Sequence, residues 1–115
     1  MKQNKYSDGL ETNSANYATL SPVSFLRRAA EVYPNTTAVV YGDRVETWNQ
    51  VYRKACGLAT ALKNHGVVEG DTVAVMAANT PEMYHCHFGV PMVGAVLNTL
   101  NTRLDSKSIA FMLEH

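Results

Sequence analysis

Thr72-Val73-Ala74-Val75-Met76-Ala77-Ala78 is an unbroken apolar run opened by one hydroxyl residue, and Ala95-Val96-Leu97-Asn98-Thr99 repeats its character downstream. Continuous apolarity, rather than alternation, is how a strand reads when both of its faces are covered, as in a parallel sheet. Between the two runs lies Thr80-Pro81-Glu82, a helix-opening signal. The hydroxyl suits the cap, and proline lacks only an N–H that the first turn leaves free. The helix so begun runs toward Gly94, with Pro91 expected to kink it or end it early. Strand, helix, strand at this spacing predicts a βαβ unit.

Upstream of this unit, Thr47-x-x-Gln50 forms a capping box, in which each side chain satisfies a backbone N–H of the first turn. Trp48, Val51, Tyr52, Ala55, Ala59 and Leu62 follow at helical spacing, and Gly66 is a natural left-handed stop. Before it, Thr37–Tyr41 and Arg44–Thr47 flank Gly42-Asp43, a hairpin signal because glycine accepts the positive φ of the turn. Earlier still, Ser21-Pro22 opens a helix with Phe25, Leu26, Ala29 and Tyr33 expected on its inner face, ending before Pro34. Residues 1–20 are polar and aperiodic and predict a leading arm, partly mobile. At the other end Asp105 caps a last helix, with Ile109, Met112 and Leu113 expected inward. The fold class is therefore α/β: helix, β-hairpin, helix, a parallel βαβ unit and a further helix. Two parallel strands cannot cover both faces and both edges alone, so residues 21–115 are expected to be an incomplete part of a larger domain.

Ten basic residues balance ten acidic ones, scattered singly or in pairs, which excludes the clustered basic face that nucleic acid requires. No apolar run reaches membrane-spanning length, and the polar opening lacks the apolar heart of a secretion signal. Asn35-Thr36-Thr37 then reads as a chance sequon, and Cys56 and Cys86 as reduced thiols of a cytoplasmic chain. A peroxisomal address, if one exists, would lie beyond His115.

Recognisable phosphate loops and nucleophile elbows are absent from the sequence. His85-Cys86-His87 holds metal-ligating types, but on a helix residues two apart diverge by about 200°, so the imidazoles point apart. One histidine is expected in solvent and the other packed on, or bonded to, a neighbour. Cys56 and Cys86 read as small buried hydrophobes, Glu46 and Glu82 as lone solvated carboxylates, and Trp48, Tyr52 and Tyr84 as core. No catalytic, cofactor-binding or metal-binding residue is identified.

His87-Phe88-Gly89-Val90-Pro91-Met92-Val93-Gly94-Ala95-Val96-Leu97-Asn98-Thr99-Leu100-Asn101-Thr102-Arg103-Leu104 resembles a segment of AMP-forming acyl-CoA synthetases, the acyl-activating branch of the adenylate-forming superfamily. The branch that takes short- and medium-chain or aromatic acids is the most similar. Three further segments match in order: Asn16 to Ala30, the hairpin Ala38–Trp48, and Gly70–Pro81. Val93 stands where the resemblance leads one to expect alanine.

The resemblance implies the opening of a large N-terminal domain, followed by a smaller mobile one. It also implies a ligase that joins a small carboxylic acid to ATP and then to coenzyme A, with Mg-ATP and coenzyme A as partners of the complete enzyme. The family's phosphate loop, Mg²⁺-linked Glu, ribose-binding Asp and C-terminal-domain Lys have no matching position here, so these 115 residues alone are expected to be inactive. The competing expectation is a non-catalytic interaction or regulatory piece whose open sheet edge pairs with a partner chain.

Overall fold

The computed structural model describes residues 9, 11, 13–15, 17, 18 and 20–114, so most of the expected leading arm lies outside the described residues. The elements run α1 (Pro22–Val32), β1 (Thr37–Tyr41), β2 (Arg44–Thr47), α2 (Trp48–Asn64), β3 (Thr72–Val75), α3 (Pro81–Gly89), a 3₁₀ turn (Pro91–Val93), β4 (Val96–Thr99) and α4 (Ser106–Glu114). β1 and β2 form an antiparallel hairpin, with Val40 opposite Val45 and Val39 opposite Glu46. β3 and β4 pair in parallel from Thr72 opposite Val96 to Val75 opposite Thr99. The mixed α/β architecture and the βαβ unit are as the sequence predicts.

Each helix boundary has a local cause. Ser21 and Ser24 cap α1 reciprocally. Thr47 Oγ1 accepts from the Gln50 N–H at 3.4 Å, while Gln50 Oε1 accepts from the Thr47 N–H at 2.8 Å. Gly66, at φ 88°, ends the α2 region, and Gly42, at φ 55°, turns the hairpin. Asp105 Oδ1 accepts from the N–H groups of Lys107 and Ser108, at 2.9 and 3.0 Å, and so opens α4. α3 starts at Pro81 as expected, but the Thr80 side chain caps no N–H. Pro91 does end α3, and the chain passes through the 3₁₀ turn to Gly94. The Thr47→Ala variant is expected to lose about 1 kcal/mol of unfolding free energy, because the bond from the Gln50 N–H to Thr47 Oγ1 goes while the Gln50 side chain keeps the backbone N–H of residue 47. Urea denaturation checks this, and an unchanged midpoint contradicts it.

Leu26, Val51 and Ala55 form the buried cluster, with Ala38, Val39, Trp48, Tyr52, Tyr84, Phe88 and Met92 packed against it. The aromatic core assignments thus hold for α2 and α3, where Tyr84 and Phe88 meet edge to face at 5.2 Å. Three expectations fail. On α1 the inner face is Leu26 and Ala30, while Phe25 and Tyr33 are 59% and 60% exposed. The helix turns Leu26 onto Val51 and Ala55 of α2. On α4, Met112 and Leu113 are exposed. β3 alternates between exposed and half-buried residues, because its sheet has one partner strand rather than two and is not covered on both faces.

Candidate functional site

Two regions gather polar chemistry. The first is a crevice of about 600 Å³ beyond the carboxyl ends of β3 and β4, lined by Asn79, His87, Thr99, Asn101, Thr102 and Arg103 among others. Its position follows from the βαβ unit: parallel strands deliver their C-terminal loops to one edge, where α/β sheets hold ligands. His87 is fixed by its Nδ1, 2.9 Å from the Met83 carbonyl. A carbonyl only accepts, so Nδ1 carries the proton and Nε2 is the ring atom left for other partners. The Asn101 Oδ1 accepts from the Arg103 N–H at 3.0 Å and shapes the loop.

The second region is a charge network between the hairpin, α2 and α3. Glu46 Oε1 accepts from Lys54 Nζ at 2.6 Å and from Arg44 Nη2 at 3.2 Å. Its other oxygen, Oε2, lies 2.7 Å from His85 Nε2. Arg44 also reaches Glu82 at 2.7 Å. Glu46 and His85 are 4% and 6% exposed, so the expectation of a solvated Glu46 is corrected. Period-two alternation on β2 turns Glu46 inward, where three donors from three elements converge. Glu82 is exposed but not alone: the Arg44 hydrogen bond, foremost, lowers its pKa to about 2. Burial raises the Glu46 pKa, but hydrogen bonds from Lys54 and His85 outweigh it, leaving a net value below the ordinary one.

The His85-Cys86-His87 segment behaves as helical geometry requires. His85 is buried on Glu46, and His87 lies on the exposed side against its own helix backbone. No group of three metal-ligating side chains forms among the described residues, and the two histidines do not converge. Both cysteines are half-buried free thiols, and burial pushes the Cys86 thiol up, away from a reactive thiolate. The neighbouring Cys56 side chain, foremost, and burial raise the Tyr52 pKa. No described helix is long and apolar enough to cross a membrane. The described residues hold no acidic set of the kind that Mg²⁺ requires, and the sequence has no glycine-rich phosphate loop. The sequence contains the ingredients of the Glu46–His85 pair, but thirty-nine positions of separation hide it.

The AMP-binding enzyme profile matches residues 26–115. The chain is 50% identical over 108 residues to an acetate–CoA ligase of Humulus lupulus, covering 94% of this chain and 19% of that protein. It is 48% identical, with the same coverage, to a peroxisomal butyrate–CoA ligase of Arabidopsis thaliana. Among solved structures it is 32% identical to an anthranilate CoA ligase in complex with anthranoyl-AMP. That match has a TM-score of 0.76 and covers 79% of this chain and 18% of that one. The chain thus spans about a fifth of the length of these relatives.

Proposed function

The chain belongs to the AMP-binding enzyme family, and from that membership we propose that it forms the opening of the large N-terminal domain of an ATP-dependent acyl-CoA ligase. The observation that carries the reading is the near-complete coverage of this chain by CoA ligases at about half identity. In the reaction, a carboxylate oxygen attacks the α-phosphorus of ATP and pyrophosphate leaves. The coenzyme A thiolate then attacks the acyl carbonyl and AMP leaves with the bonding electron pair. Adenylation is needed because a free carboxylate has no good leaving group.

No step is assigned to a residue of this chain. Its part is scaffold: β3 and β4, joined through α3, build a parallel sheet with a crevice at its carboxyl end, the position where α/β sheets hold ligands. The substrate class is a small aliphatic or aromatic carboxylic acid. The complete enzyme is proposed for the peroxisome, the compartment in the names of several of its relatives, with the cytoplasm as the alternative.

A chimera tests this reading. This chain replaces the matching fifth of the Humulus acetate–CoA ligase, and pyrophosphate release is followed with acetate, butyrate and benzoate. The chimera is expected to release pyrophosphate and form acyl-CoA, and the 115-residue chain alone to show no ATP–pyrophosphate exchange. A soluble, folded but inactive chimera beside an active host overturns the scaffold assignment. Exchange by the isolated chain overturns its inactivity.

A further inference from the structure

We propose that Glu46 and His85 form a proton-gated latch that selects which face of the β1–β2 hairpin turns inward and holds that hairpin against α3. The inference concerns this chain's own structure and stands apart from the ligase reading.

The hairpin inverts the usual pattern of a half-buried strand. Val45 and its cross-strand partner Val40 are 56% and 68% exposed, while Glu46, next to Val45 on β2 and opposite Val39, is buried on the other face. Apolar burial alone favours the opposite arrangement, which would bury the Val40–Val45 pair in exchange for Val39, now packed on the core, and would put Glu46 in water. A one-residue slip or a flip of the ribbon would produce it. The structure takes the other face because the Glu46 carboxylate is met there by donors that only this face reaches, Lys54 on α2 and His85 on α3, with Arg44 beside it on β2. Arg44 adds a second tie from the hairpin to α3 through Glu82. These five groups are the charged and titratable side chains in the network.

Such a network makes conformation depend on all of its members. A buried carboxylate without its donors is costly, whereas full satisfaction in a low-dielectric site is strong and specific. No buried side-chain nitrogen or oxygen among the described residues is left without a partner. Ionised Glu46 accepts from all three donors, and protonation removes the charge that holds them. Because the folded Glu46 pKa lies below its ordinary value, the latch is complete above the unfolded carboxylate pKa. It is lost as pH falls through the folded one. α3 also lines both the crevice, through Met83 and His87, and an apolar groove against β1 that includes Val40 and Tyr41. Release of the hairpin therefore opens that groove and frees one side of the helix that walls the crevice.

Amide hydrogen exchange on the full 115-residue chain tests the latch, with protection factors corrected for intrinsic rates. At about pH 7, Glu46→Gln and His85→Leu are each expected to speed exchange of the β1–β2 amides by on the order of tenfold to a hundredfold. The α2 amides around Val51 and Ala55 change far less. The double variant is expected to be no faster than either single one. In the wild type, lowering the pH to about 3 releases the hairpin amides before those of α2, and Glu46→Gln abolishes that acid step. Additive single effects, simultaneous loss of hairpin and α2 protection, or an unprotected wild-type hairpin at neutral pH each overturn the proposal.

Discussion

Replacing Gly89 by valine is expected to lower unfolding stability by about 2–3 kcal/mol, the loss arising where α3 crosses α2. A Cβ at position 89 would stand 2.8 Å from Leu58 Cδ2, 3.0 Å from Leu58 Cβ and 3.0 Å from the Ala55 carbonyl oxygen. The first of these is the end of a flexible side chain and moves at little cost. The other two are not: the Leu58 Cβ and the Ala55 carbonyl are held by the helix itself. Two effects oppose each other at this position. A glycine in a helix costs up to about 1 kcal/mol relative to alanine, so any side chain recovers part of that. Overpacking a tight crossing costs roughly 1–3 kcal/mol.

For alanine the two nearly cancel. Valine recovers less propensity and adds two methyl groups to the crossing, so the steric cost wins. Urea unfolding of wild type, Gly89→Ala and Gly89→Val, followed by fluorescence of the single tryptophan Trp48, separates the terms. A valine variant as stable as the wild type would show that α2 and α3 have room to part.

Leu26→Ala is expected to cost about 3 kcal/mol, within the range of roughly 2–5 for a fully buried leucine. Leu26 is 1% exposed against Val51 and Ala55, which are both fully buried. The neighbours, among them Val51 and Ala55 on α2 and Tyr84 and Phe88 on α3, are held by separate elements, so the cavity collapses only in part. Its neighbour Phe25 is the informative control. At 59% exposed, it is expected to change stability by less than about 1 kcal/mol when cut to alanine. Denaturant midpoints of the two variants decide which face of α1 is inward. A larger loss at Phe25 than at Leu26 would reverse the orientation described for that helix.

Much of the fold is legible in local chemistry. The hairpin bounds, the Thr47–Gln50 box, the α2 stripe from Trp48 to Leu62, and the Pro91 break each depend on residues within a turn or two of one another. Such signals are carried by backbone sterics and by hydrogen bonds that close over three or four positions. The family is legible as well, because four ordered segments preserve that local chemistry together.

What tertiary packing decided is which face of each element turns inward. α1 offers Phe25 and Leu26 side by side, and it is the leucine that packs on Val51 and Ala55 of α2. β2 offers Val45 and Glu46, and period-two alternation allows either to be buried. The preference for burying valine is real but non-directional, while the Glu46 carboxylate needs donors at fixed positions. Lys54 and His85 supply them from eight and thirty-nine residues away. Composition and alternation show that an acidic residue lies on this strand. Only the approach of α2 and α3 makes burying it the more stable choice.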